Sequence, residues 1–221
     1  MRIGVLGTGI VGRTLGTGLV GLGHEVRMGS RAAGNEAAVA WAQAAGEGAG
    51  EGDFADAAQF GELLVNATGG AVSLQALEQA GEENLSGKVL LDVSNPLDFS
   101  KGMPPTLTVC NDDSVGERIQ AAFPDVRVVK TLNTVAASLM VEPGLVPGPH
   151  TIFVSGNDAN AKAKAREVLQ GFGWPAGSIL DLGDITTSRG VEMYLALWIR
   201  LWGATGTGVL NVEVRTAPPA A

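Results

Sequence analysis

The chain has 221 residues, of which 45% are hydrophobic and 5% aromatic, with 32 glycines and a formal net charge of -8. That size and composition fit one large globular domain, or one domain with a smaller companion, and exclude an extensively disordered chain. The negative field and the lack of any Lys or Arg run exclude nucleic acid as a partner, and a lone cysteine, Cys110, excludes an intrachain disulfide and a multi-cysteine zinc site.

The first residues, Met1 to Leu6, run straight into a glycine turn and leave no room for a secretory leader. Together with the single cysteine this places the chain in a reducing compartment, expected to be the cytoplasm. The most hydrophobic late stretch, 191–204, falls short of the roughly 20 apolar residues of a membrane span and carries Glu192 and Arg200, so no membrane partner is expected.

In chain order, short apolar runs alternate with segments of helical period. A strand over 2–6 is followed by a helix over 10–21, a strand over 25–28, a helix over 35–45 and a weaker strand near 49–54. Next come a strand over 63–67, a helix over 73–80, a strand over 88–93, a helix over 114–123 and a strand over 127–132. The glycine-rich stretch 44–52 lies inside this alternation and reads as a surface loop, whereas the Pro- and Gly-rich 142–149 reads as a boundary. Beyond it lie a strand over 151–155, a helix over 159–171, a strand over 179–182, a long helix from about 186 and a last strand over 209–215. There is no internal repeat. The pattern predicts an α/β fold, a Rossmann-type parallel sheet over 1–141 with a smaller C-terminal α/β portion over 150–221 for acceptor binding and dimerisation.

Gly7-Thr8-Gly9-Ile10-Val11-Gly12 matches the dinucleotide fingerprint G-x-G-x-x-G, and it sits where that motif has meaning, after an apolar strand and opening a helix. A free ribose 2′-hydroxyl calls for an Asp or Glu at the end of the second strand. Here that strand ends in Met28-Gly29-Ser30-Arg31, a hydroxyl and a guanidinium suited to a 2′-phosphate, so the sequence predicts NADP over NAD. A helix cap with a solvated charge is the alternative role for Ser30-Arg31.

With these residues the chain resembles the NADP oxidoreductases that work with the deazaflavin coenzyme F420, a family related to the N-terminal domain of the Steap metalloreductases. The resemblance spans nearly the whole chain and rests on Gly7-Thr8-Gly9 with Gly12, Gly23-His24-Glu25-Val26, Gly29-Ser30-Arg31 and Val128-Val129-Lys130-Thr131-Leu132-Asn133-Thr134. It implies hydride exchange between NADPH and F420 or a flavin, with the rings stacked at the C-terminal ends of the strands. It further implies that Thr8, Ser30 and Arg31 hold the 2′-phosphate, that Asn133, Thr134, Val135, Ala136 and Ala137 touch the nicotinamide and the second ring, and that the protein is a homodimer. Two departures stand out: Asn35 replaces a basic residue often found four positions after Ser-Arg, and Ala67-Thr68-Gly69-Gly70 replaces a proline or aromatic after the fourth strand.

Hydride transfer needs position and dryness more than a protein acid or base, so no catalytic side chain and no metal ligand are assigned. Thr68, Gly69 and Asn95 complete the expected cofactor set, with Ser94 and Asn95 either near the bound rings or in an ordinary Asx turn before Pro96. His24 reads as structural, His150 as a surface residue and Cys110 as a bystander, while Lys130 inside an apolar strand lends a charge to the cleft, or else snorkels or pairs with a carboxylate. Reduction of a small imine or carbonyl, or NADPH sensing without turnover, are the competing functions. The segment 191–202 is apolar on nearly every face of a helix; Trp198 and Trp202 share one side and are expected at a dimer interface and one wall of the acceptor site.

Overall fold

The computed structural model describes residues 1–217. In chain order the elements are β1 (Arg2–Leu6), α1 (Ile10–Gly21), β2 (Glu25–Ser30), α2 (Glu36–Ala45), β3 (Ala49–Asp53), α3 (Phe54–Phe60) and β4 (Leu63–Asn66). There follow α4 (Ser73–Ala80), α5 (Glu82–Leu85), β5 (Val89–Asp92), β6 (Leu97–Asp98), β7 (Thr106–Leu107), α6 (Val115–Ala122) and β8 (Arg127–Thr131). The chain ends with α7 (Ala137–Val141), β9 (Ile152–Ser155), α8 (Ala159–Gly171), β10 (Ile179–Gly183) and α9 (Ser188–Thr205).

Eight strands form one sheet in the order β10-β9-β8-β5-β4-β1-β2-β3, parallel except where β9 pairs antiparallel with β8 through Lys130–Ser155 and Thr131–Val154. This is a doubly wound Rossmann-type α/β fold. Its central strands are apolar on both faces, as β4 shows with Leu63, Leu64, Val65 and Asn66 all buried, because helices cover both sides. One core gathers Ile3, Val5, Leu15, Leu19, Trp41 and Val129, and the other gathers Leu6, Ala57, Leu64, Leu77, Leu90 and Val128. From β1 the chain moves outward to β3, then crosses back to lay β4 on the other side of β1. That reversal opens a crevice at the C-terminal ends of β1 and β4, where open parallel sheets bind their ligands.

The strands expected in a smaller C-terminal portion, β9 and β10, extend this same sheet, with the antiparallel step at β8/β9 marking where the new βα unit joins. Positions 218–221 of that portion lie outside the described residues. The weak strand near 49–54 forms as β3, while α3 goes unforeseen because seven residues show too little period; Asp53 and Asp56 close it with a reciprocal capping box. The expected strand over 209–215 does not form. The tail there stays irregular, making a Thr151 N–H bond to the Val212 carbonyl and little other ladder. Among the described residues no helix is long and apolar enough to cross a membrane.

Candidate active site

The fingerprint loop is built by close approach. Gly7 has φ +116°, and a Cβ there would sit 2.7 Å from the Ala67 carbonyl oxygen; a Cβ on Gly12 would meet the Gly7 carbonyl oxygen at 2.0 Å. Only glycine lets α1 start this tightly against β1 and β4. No side chain caps α1, so its first N–H groups and the positive end of its dipole are left to face an anion. Arg13 braces the turn from behind, its guanidinium donating to the Thr8 carbonyl.

A cavity of about 290 Å³ opens at these strand ends, lined by Gly9, Ile10, Val11, Ala67, Thr68, Gly69, Val93, Ser94, Asn95, Leu97 and Phe99. Among the described residues nothing titratable lines it. A second cavity, about 280 Å³, begins at Arg31 and runs past Phe54, Thr68, Val72 and Gln75 to Gln79. Thr68 borders both, so the two adjoin at that side chain, with Arg31 on the one and Asn95 on the other. A larger cavity of about 710 Å³ between α1 and α2 shares no residue with either.

The sequence-derived residues separate into two layers. Gly9, Ile10, Val11, Thr68, Gly69 and Asn95 line the first cavity, while Gly7 and Gly12 shape the turn beneath it. Arg31 is exposed and makes no ion pair among the described residues; Ser30 is buried, its hydroxyl donating to the Ala32 carbonyl at 2.6 Å. Asn133, Thr134 and Val135 are buried behind the cavity and Ala137 opens α7. Asn133 is locked to Asn95 by two reciprocal bonds: Asn95 Nδ2 donates to the Asn133 carbonyl at 2.9 Å, and Asn133 Nδ2 donates to Asn95 Oδ1 at 3.0 Å. Just before it Leu132 adopts φ +60°, a left-handed conformation that costs a β-strand-forming leucine about 1–2 kcal/mol and is typical of positions held for function.

Beneath the cavity lies a polar network that sequence reasoning only touched at Lys130. The Lys130 ammonium, fully buried, contacts Asp92 Oδ2 at 2.7 Å, Glu192 Oε1 at 2.8 Å and the Ser94 carbonyl at 2.8 Å. Burial opposes its charge, but the two carboxylates outweigh that and hold its pKa above the ordinary lysine value. Of the alternatives, Lys130 therefore pairs and does not snorkel. Asp92 Oδ1 accepts from Asn66 Nδ2 at 2.9 Å and from the Ser94 N–H at 3.1 Å, and Asn66 Oδ1 accepts the Thr68 hydroxyl at 2.6 Å. Glu192 accepts the Val115 and Gly116 N–H groups at the start of α6. Thr68 on the cavity wall is thereby tied to α9 through a continuous chain of charge and hydrogen bonds. The one signal for it in sequence is a lysine inside an otherwise apolar strand.

Two buried hydroxyls beside this network, Ser94 Oγ and Thr134 Oγ1, have no hydrogen-bond partner among the described residues. Unsatisfied buried donors are uncommon, and Ser94 also lines the 290 Å³ cavity, so the residues present fit a polar ligand there. His150, expected at the surface, is buried: its ring packs edge-on against Trp174 at 5.0 Å between centroids, and its Nε2 meets the Pro143 carbonyl at 3.0 Å. Trp174, Pro143 and Asn211, distant in the chain, enclose it, which the local Pro-rich sequence does not reveal.

Comparison with known proteins agrees with this geometry. Residues 2–96 match the family described as NADP oxidoreductase, coenzyme F420-dependent. A crystal structure of an inferred F420-dependent NADP-reductase from Arthrobacter sp. FB24 is 52% identical, covering 98% of this chain and 100% of that one with a TM-score of 0.92. Metalloreductase STEAP3 of Rattus norvegicus is 29% identical over 195 residues, 86% of this chain, which spans about a third (36%) of that protein's length. An imine reductase from Streptomyces aurantiacus, at 19% identity over 93% of this chain and 63% of its own, has a TM-score of 0.62 and shares the fold.

Proposed function

We propose that this chain, which belongs to the family of NADP oxidoreductases dependent on coenzyme F420, passes a hydride between NADPH and a flat ring acceptor, a deazaflavin such as F420 or a flavin. It is an NADP-dependent oxidoreductase by family; the acceptor is the inference. The observation that carries it is the lining of the 290 Å³ cavity, which holds no group able to give a proton at neutral pH. A carbonyl receiving a hydride needs an acid at the developing alkoxide. A conjugated ring spreads the charge over itself and takes its proton from water.

When bound, the nicotinamide supplies the hydride and the acceptor ring takes it. The chain's own work is placement. The uncapped N–H groups of α1 with Gly7, Thr8 and Gly9 bind the pyrophosphate. Ser30 and Arg31 hold the 2′-phosphate, Arg31 through charge-assisted bonds in place of the carboxylate that would favour NAD. Thr68, Gly69 and Asn95 form the cavity wall, and Ser94 Oγ and Thr134 Oγ1 are the free donors for polar groups at the nicotinamide end. The Asn95–Asn133 lock and the Lys130 network keep that wall rigid, which is what direct transfer between stacked rings requires.

The assembly is a homodimer built on α9. Its buried face carries Val191, Leu195 and Ile199, yet Leu197 and Trp202 stay 54% and 43% exposed, and Trp202 lines an open cavity of about 450 Å³ with Met103 and Pro104, apolar surface suited to a second copy. A panel of acceptors tests the reading. NADPH oxidation is expected with a deazaflavin or flavin and at most slowly with imines and carbonyls; oxidation by none of these, despite tight NADPH binding, would leave a sensor.

A further inference from the structure

Glu51 lies on β3, paired in register with Met28 of β2, and its carboxylate reaches past the strand ends. There Oε2 accepts the Gly34 N–H at 2.9 Å. Gly34 belongs to the turn that follows Ser30-Arg31 and ends at Asn35, whose side chain caps α2. Of the other charges nearby, Glu36 opens α2 one residue past the turn, exposed and with no ion pair among the described residues, and adds to the negative charge there. Asp53 and Asp56 bond each other's backbone in the α3 capping box, and Arg27 points to the opposite face of the sheet, over the Phe60 ring at 4.6 Å. Among the described residues no Lys or Arg pairs with Glu51, so its charge stands unneutralised against the turn that carries Arg31.

We propose that Glu51 is a specificity-determining residue that holds down the preference for NADP(H) over NAD(H). Its carboxylate repels the 2′-phosphate and opposes Arg31, whereas a neutral 2′-hydroxyl in the same place feels little of it. Asn35, standing where a base would add to the attraction, leaves Arg31 as the turn's one cation against this carboxylate. The inference rests on the placing of the 2′-phosphate at Ser30 and Arg31.

The test is binding of NADPH, NADH and 2′,5′-ADP by calorimetry to the wild type, Glu51→Gln, Glu51→Ala and Arg31→Ala, at low and high salt. The Gln amide oxygen still accepts the Gly34 N–H, so that variant removes charge and keeps the turn. NADPH and 2′,5′-ADP should bind Glu51→Gln roughly three- to tenfold more tightly at low salt, NADH should change less than about twofold, and the gain should shrink at high salt. Glu51→Ala should change in the same direction. Unchanged NADPH affinity in Glu51→Gln, or equal changes for NADPH and NADH, would overturn the proposal. If Arg31→Ala weakens NADPH alone while Glu51→Gln does nothing, the phosphate seat survives and only the role of Glu51 falls; if Arg31→Ala weakens both cofactors equally, the seat itself is misplaced.

Discussion

Lys130 Nζ and Asp92 Oδ2 stand 2.7 Å apart with both side chains at 0% exposure, and Glu192 completes the contact from α9. An ammonium removed from water is kept charged only by such partners, so removing one of the three leaves the others uncompensated. Lys130→Met should therefore destabilise the fold by about 3–5 kcal/mol, and the triple change Asp92→Asn, Lys130→Met, Glu192→Gln should recover much of the loss. Urea unfolding midpoints measure both. The pH dependence follows from the raised lysine pKa: a group whose folded value lies above its unfolded one stabilises fully below the unfolded value, about 10.4, and that stability is lost as pH climbs through the folded value. Wild-type stability should accordingly fall above pH ~10.4 more steeply than that of the triple variant. A triple variant no more stable than Lys130→Met would remove the network from the account.

Gly9 and Gly12 separate binding from folding. A Cβ on Gly9 meets nothing within 4 Å, whereas one on Gly12 collides with the Gly7 carbonyl oxygen. Gly9→Ala should keep the wild-type melting temperature while weakening NADPH at least tenfold, because Gly9 lines the cavity and the new methyl would intrude on the proposed pyrophosphate seat. Gly12→Ala should lose both stability and binding. Thermal melts with and without NADPH distinguish them, and a Gly9→Ala protein that binds normally would move the pyrophosphate elsewhere.

How much was legible in the sequence follows from the range of each interaction. The fingerprint, Ser30-Arg31 and the alternating strands are local patterns, and the sheet from β1 to β8 follows them closely. Glu192 bonding to α6, and Asn133 reaching both Asn95 and the Val191 carbonyl, join residues far apart in the chain and leave no periodic trace. The joining of β9 to β8 is of the same kind, since strand direction is set by tertiary pairing and not by composition. The sequence predicts a helix over 191–202 that is apolar on nearly every face; in the fold its buried face is Val191, Glu192, Leu195 and Ile199, and the buried Glu192 serves the Lys130 network.

Arg31 is exposed and makes no ion pair among the described residues, so its truncation costs the free protein little. Arg31→Ala should weaken NADPH by about 1.5–3 kcal/mol, the scale of a charge-assisted hydrogen bond, and leave NADH nearly unchanged. Fluorescence titration with each cofactor measures the difference. Equal losses would make Arg31 a structural residue.

Leu197 and Trp202 are the large apolar side chains that α9 leaves exposed among the described residues. If the proposed dimer is built on α9, Leu197→Glu with Trp202→Glu should yield a monomer at micromolar concentration in light scattering, with the circular dichroism spectrum retained. A wild-type protein that already runs as a monomer would remove the dimer.

If the hydride passes directly between two rings in one cleft, an isotope on the nicotinamide must travel with it. NADPH carrying deuterium at the transferable C4 position is oxidised by the protein in ordinary water with a deazaflavin as acceptor, and the reduced acceptor is analysed by mass spectrometry and NMR. The account predicts deuterium on the deazaflavin C5 carbon, from one face of the nicotinamide only. Reduced deazaflavin carrying solvent hydrogen at that carbon, or NADPH consumption with no reduced ring formed, would contradict it.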